Sequence, residues 1–166
     1  RHRRDVQFVI ARAPGLDDTL FDSLAWAEPG PVEVLGRTDD VLAVADAAIT
    51  ASGTATVQAA IHGVPMAVVY KLSRLTYALG RRFVHVDTFA MVNLIAGRRI
   101  VPELIQDACT PEAITREIVM LLTDRAKADA TRAALRQVKE RLGAPGASGR
   151  VADAVLALAR RDCIGD

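Results

Sequence analysis

Aromatic side chains are scarce in this sequence, 4% of 166 residues, so its core must be assembled mainly from Ala, Val, Leu and Ile. Helix-flanked parallel sheets are usually built that way. Cysteine is nearly absent as well. Cys109 and Cys163 stand far apart, which argues against a disulfide scaffold and for a reduced, cytoplasmic setting. The three histidines, His2, His62 and His85, fall in no cluster with Asp, Glu or Cys, so no metal site and no cofactor are expected. A net charge of +1 lacks the basic excess of a dedicated nucleic-acid binder. The longest apolar run, around Val41–Ala51, is broken by Asp46 and is too short to span a bilayer. No secretory signal is visible. Arg1–Arg4 lead directly into a strand without an initiator Met, so the expectation is a truncated reading frame or an excised piece.

Alternation is what the sequence does have. Val6–Ala11 reads as a strand, ended by Pro14–Gly15, and Asp17 and Asp18 open a helix through Ala27. Val32–Leu35 is a second strand, followed by a Thr38-capped helix over Asp39–Ala45. Ala47–Ala51 is a third strand, followed at once by Ser52–Gly53–Thr54 and a helix to His62. Gly63 closes that helix and Pro65 opens the strand Met66–Tyr70. Regular alternation with short links predicts a parallel, doubly wound α/β sheet.

The second half has a different texture. Ser73–Phe83 reads as an amphipathic helix, Val84–Arg99 as strand and loop, and Pro102–Gln106 as the start of a short helix. Thr110–Pro111–Glu112 starts a helix to Leu122, and Asp124–Leu142 is a long charged helix with a solvated face. Ser148 caps a last helix through Arg160.

Open parallel sheets bind ligands where strand C-termini meet helix N-termini. The Ser52–Gly53–Thr54 turn lies at such a place. Gly53 permits close backbone approach, the Thr54–Thr56 amides face outward, and the hydroxyls of Ser52, Thr54 and Thr56 add donors. An anion such as pyrophosphate fits there; so does an ordinary Ser or Thr helix cap. The segment Met91–Gln106 sets Asn93, Arg98, Glu103 and Gln106 among Val, Leu and Ile. Asn93 suits a base edge or ribose hydroxyl, Arg98 a phosphate, and Glu103 sugar hydroxyls. The alternative is a plain loop in which Asn93 and Gly97 make turns and Arg98 pairs with Glu103.

The strings ASGTATVQAAIHGVPMAVVYKLSRLTYALGRRF (Ala51–Phe83) and MVNLIAGRRIVPELIQ (Met91–Gln106) resemble the lipid-A-disaccharide synthases. So do TPEAI (Thr110–Ile114) and RLGAPGASGRVADAVL (Arg141–Leu156), and the likeness runs from about Val6 to Leu158. It implies a Rossmann-like lobe of a two-lobed glycosyltransferase of the B type, with parallel sheet, flanking helices and C-terminal helices. Residues 1–166 are then the C-terminal UDP-sugar-binding lobe. The lobe's first strand, a Gly-Ser-Arg turn and the whole N-terminal lobe are expected before residue 1. The implied reaction is an inverting, metal-free transfer of 2,3-diacylglucosamine from its UDP donor to 2,3-diacylglucosamine 1-phosphate. It gives the lipid A disaccharide 1-phosphate and UDP.

On the same basis Ser52, Gly53, Thr54, Ala55, Gln58, Asn93, Gly97, Arg98 and Glu103 are carried over as donor-site residues. The catalytic base and acceptor groove fall to the other lobe, so this part binds donor without catalysing. The implied location is the cytoplasmic face of the bacterial inner membrane, with a homodimer among the assemblies allowed. Three positions depart from the family's usual pattern: Gln58 and Arg99 where Glu is common, and Arg74 where Pro is. Gln58 keeps hydrogen bonding to a ribose hydroxyl without the charge. The basic amphipathic stretch Lys71–Phe83 suits an anionic lipid surface or a core-packed helix with a solvated basic side. His62, before the Gly63 cap, suits a helix C-terminus when charged. Two rivals stand beside this reading: another UDP-sugar transferase or epimerase of the same fold, and a non-catalytic nucleotide-binding module.

Overall fold

The structure, a computed structural model, describes residues 6–17, 19–22, 30–51, 53–72 and 88–162. Ser52, His85, Cys163 and the helix expected over Ser73–Phe83 lie outside the described residues.

The first half follows the expected alternation. The elements are β1 (Val9–Arg12), α1 (Thr19–Asp22), β2 (Val32–Leu35), α2 (Thr38–Val44), β3 (Ala48–Ala51), α3 (Thr54–Ile61) and β4 (Met66–Tyr70). Every strand pairing among the described residues is parallel, which gives an α/β, Rossmann-like fold. The strands form two small sheets rather than one. β1 pairs with β2, in register Val9 with Val32 to Arg12 with Leu35, and β3–β4–β5 form a second sheet. Helix α2 packs on both strands of the first sheet.

The second sheet holds the core. Met66, Ala67 and Val68 of β4 are all buried, as expected of a central strand covered on both faces. Ala59 and Ala60 let α3 come close to Met66 and Val68, and Val92, Leu135 and Val138 complete the same cluster. Gly63 ends α3 with φ 70°, donating to the Ala60 carbonyl at 3.0 Å, while Val64 N donates to Ala59 at 3.0 Å. These paired bonds satisfy the last turn of α3 and free the chain to enter β4.

Residues 91–106 depart from expectation. The segment read as strand and loop contains a helix, α4 (Met91–Ala96), and the segment read as a short helix start contains β5 (Glu103–Ile105). Only a 3-10 turn follows, over Gln106–Ala108. Pro102 misleads because it suits a helix start and a strand edge alike. Here its carbonyl accepts from Val68 N at 2.9 Å, and the ladder needs nothing from its missing N–H.

Helix α5 (Pro111–Thr123) is capped by Thr110, whose Oγ1 accepts from Ala113 N at 3.2 Å. Helix α6 (Arg125–Leu142) is capped by Asp124, which accepts from Lys127 N at 3.0 Å. On α6 the buried positions Ala128, Thr131, Ala134, Leu135 and Val138 recur at helical spacing, with charged residues on the other face. Two other expected caps move. Arg37, not Thr38, holds the cap position of α2. The last helix, α7 (Ala147–Asp162), starts before Ser148, and Arg150 Nη1 donates to Pro145 O at 3.0 Å beside that start. α7 leaves Val151, Val155, Leu156 and Leu158 exposed.

Candidate functional site

Two helix starts lie side by side at the C-terminal edge of the β3–β4–β5 sheet. Both α3 and α4 precede a strand of a parallel sheet, so each runs back against the strands and begins at that edge. Both pack into one cluster with α6, which places them on the same face.

The start of α3 is open. Gly53 holds the cap position at φ 142°, ψ −158°, in the region that favours glycine, and no side chain among the described residues caps the helix. Thr56 behaves differently from the sequence expectation. It is fully buried, its Oγ1 donates to Gly53 O at 2.7 Å, and its N donates to the same carbonyl at 3.1 Å. Its hydroxyl and amide are therefore spent inside the helix, because the Thr56 side chain faces the core rather than the edge. Their work is to hold the Gly53 carbonyl in the first turn. That leaves the Thr54 and Ala55 amides at the positive helix end. Thr54 is exposed, and Gln58, one turn further along the same helix, is half-buried.

The start of α4 is filled. Glu103 of β5 reaches across and accepts from Phe89 N at 2.8 Å through Oε2 and from Ala90 N at 3.1 Å through Oε1. Its Oε1 also accepts from Asn93 Nδ2 at 2.7 Å. A carboxylate at this position satisfies orphan amides and complements the helix dipole. Asn93 is completely buried, and its amide is used to capacity. Nδ2 also donates to Val101 O at 3.0 Å, while Oδ1 accepts from Ile100 N at 2.8 Å and Val101 N at 3.1 Å. In this arrangement Asn93 has no hydrogen-bonding capacity left for a base edge. It shapes the 97–103 turn and steadies Glu103.

Gly97 and Arg98 come to the opposite end. Gly97 is the left-handed C-cap of α4, with φ 69°, donating to Leu94 O at 3.1 Å. Arg141 Nη1 donates to Ile95 O at 2.7 Å and seals that terminus from α6. Arg98 is exposed beside Gln137 and Arg141. The structure thus brings Gly53, Thr54 and Ala55 together with the Glu103–Asn93 cluster at one edge and leaves Gly97 and Arg98 at the other. Arg98 does not pair with Glu103, whose carboxylate faces amides. His62 Nε2 hydrogen-bonds Asp39 Oδ1 of α2 at 2.9 Å, giving it a partner the sequence did not suggest.

Two roles were not legible beforehand. Arg141 as a cap for α4 arises from residues 46 apart in sequence. Gln106 holds both backbone groups of Leu72, with Leu72 N donating to Oε1 at 2.7 Å and Nε2 donating to Leu72 O at 3.2 Å. Among the described residues no three of His, Cys, Asp and Glu gather as a metal site, and no helix is long and apolar enough to cross a membrane.

The lipid-A-disaccharide synthetase family matches residues 31–154. A lipid-A-disaccharide synthase of Geobacter sulfurreducens is 46% identical over 153 residues, covering 92% of this chain and 40% of the relative. One from Anaeromyxobacter dehalogenans is 46% identical over 158 residues, covering 94% of this chain and 41% of the relative. The enzyme of Myxococcus xanthus is 37% identical over 157 residues, with the same coverage of 94% and 41%. The chain spans about two fifths of the length of these relatives. The matched span runs from β2 into α7 and includes both helix starts, so the geometry and the similarity concern the same residues. The chain belongs to the lipid-A-disaccharide synthetase family.

Proposed function

We propose that this chain supplies the UDP-sugar-binding part of a lipid-A-disaccharide synthase. The observation that carries this is the open start of α3 at the strand edge, where Gly53 leaves the Thr54 and Ala55 amides without a side-chain cap. A pyrophosphate seated there is held by two amides and the helix dipole. The same contacts stabilise the negative charge that grows on UDP as the sugar leaves, which is how such a site promotes transfer. Gln58 lies one turn along α3 and suits a ribose hydroxyl. Glu103 Oε2 has a single hydrogen-bond donor among the described residues, Phe89 N, and can accept another from the sugar. Asn93 acts here by fixing Glu103.

The full protein, in this reading, transfers 2,3-diacylglucosamine from its UDP donor to 2,3-diacylglucosamine 1-phosphate with inversion. The acceptor groove and the base that deprotonates its hydroxyl belong to the part outside this chain. The acylated substrates put the working site at the cytoplasmic surface of the inner membrane.

The test is calorimetric titration of the full-length protein that carries this chain with UDP and with UDP-2,3-diacylglucosamine. The expected result is saturable binding of both, weakened at least about tenfold in Gly53→Ala at an unchanged fold. A well-folded wild-type protein that takes up neither ligand would sink the proposal. Binding of other UDP-sugars with equal affinity would favour a transferase or epimerase of different specificity.

A further inference from the structure

Gln106 stands out on two independent counts. It is the one non-glycine residue among those described with a left-handed backbone, φ 52°. Glycine adopts that conformation freely and asparagine tolerates it, whereas a long side chain pays a conformational cost of about 1 kcal/mol or more. Its side chain also makes the two bonds to Leu72 given above, one to the amide and one to the carbonyl. They act as one more rung on the β4–β5 ladder, just past the last backbone pair, Tyr70 with Ile105.

Chemistry narrows the choice of residue. Holding an N–H and a C=O on one residue requires an acceptor and a donor on the same planar group. Glutamate lacks the donor, and asparagine is one methylene shorter. Glycine would remove the strain and the clamp together. A strained backbone combined with a side chain that holds both backbone groups of one distant residue marks a position whose geometry matters beyond local comfort. The position is the ligand edge. β4 is paired with β3 on one side and β5 on the other, so the end of β4 lies between the Gly53 turn and Gln106. β5 and the turn that follows it therefore serve this edge twice, with Glu103 holding Phe89 and Ala90 and Gln106 holding Leu72.

We propose that Gln106 is a positioning residue for the donor site: by clamping Leu72 it fixes the end of β4 beside the α3 start, and so sets donor affinity without touching the donor. This rests on the donor-binding reading above. The residue acts on binding more than on the chemical step, so its loss should appear in the donor KM and in the UDP Kd rather than in kcat.

The experiment compares wild-type full-length protein with Gln106→Ala, Gln106→Glu and Gln106→Gly. Amide exchange around Leu72, UDP affinity, donor KM and kcat, and the melting temperature are measured for each. In Gln106→Ala, Leu72 exchanges faster, and UDP Kd and donor KM both rise roughly tenfold with kcat nearly constant. Gln106→Gly shows the same loss of affinity although its backbone strain is relieved, which separates the clamp from the strain. Gln106→Glu keeps the acceptor and falls in between. If Gln106→Ala is poorly folded, the Glu and Gly variants carry the comparison. Faster exchange at Leu72 with UDP affinity and donor KM at wild-type values would overturn the positioning role. A wild-type protein that binds no UDP would overturn the donor reading, and this proposal with it.

Discussion

The starts of α3 and α4 face the same edge of the same sheet, yet one is open and the other occupied. At α3 one of the hydroxyls that looks like a ligand turns inward, and Thr56 closes on Gly53 O. At α4 a carboxylate from the chain itself takes the place an anion would have. The difference teaches that a helix terminus becomes a binding site only where the protein withholds its own cap. It also separates two kinds of site residue, those offered to a ligand and those consumed in shaping the place.

The comparison can be broken from either side. Asn93→Ala should have the largest effect on stability, because it removes four hydrogen bonds and leaves buried backbone groups and Glu103 short of partners. A loss of about 3 kcal/mol is expected in denaturant unfolding. Full stability would mean that the filled helix start is not a structural device. Gly53→Ala should do the reverse. A Cβ there meets nothing within 4 Å, so the cost in stability is backbone strain of about 1–3 kcal/mol. UDP binding weakens at least about tenfold, because an added methyl takes up space at the open turn where the phosphate would approach. Equal losses in the two measurements would erase the distinction between the two starts.

Thr56→Val is smaller still. It preserves shape but removes the hydroxyl donor to Gly53 O, for about 1 kcal/mol and a few-fold weaker UDP binding by titration. The least effect belongs to a third start, that of α1, where Asp17 Oδ1 accepts from Thr19 N at 3.0 Å. That backbone hydrogen bond holds the Asp17 carboxyl below its ordinary pKa. A depressed carboxylate contributes stability that is present above its unfolded pKa and is lost as pH falls through the folded value. Asp17→Asn should therefore flatten a shallow acid limb of the stability profile by slightly lowering stability at neutral pH, where the carboxylate is ionised, and leave the acid end untouched. An unchanged acid limb would remove Asp17 from the account.

Much of the fold was legible where its punctuation is local. Gly63 and Pro65 mark the turn between α3 and β4, and Thr110–Pro111 and Asp124 announce α5 and α6. The 91–106 segment was not, for two physical reasons. α4 is too short to display a helical period, and Pro102 carries no signal that separates a strand edge from a helix start. The single sheet expected from alternation also splits in two, since alternation fixes the order of strands and not which neighbours bond. At the candidate site the residue types singled out a strand edge but not the structural tasks the structure gives them. Asn93 looks like a reader of ligands and is a buried brace. Arg98 follows a glycine that ends the helix at the wrong end of the sheet. Gln106 meets Leu72 across 34 residues, a distance over which sequence pattern is silent.

The grip of Gln106 on Leu72 also has a bearing on the order of assembly. Gln106 can close on Leu72, 34 residues earlier in sequence, only once β4 and β5 have met, and bringing distant segments together costs entropy before any contact repays it. β3, α3 and β4 have no such wait, since a glycine and a few residues join them. The ligand edge is thus expected to be the last part of the domain to be completed and the first to open. Changes at Gln106 should then hasten unfolding while leaving the folding rate nearly constant. A sheet edge finished late in this way is one the chain can loosen without dissolving the core beneath it.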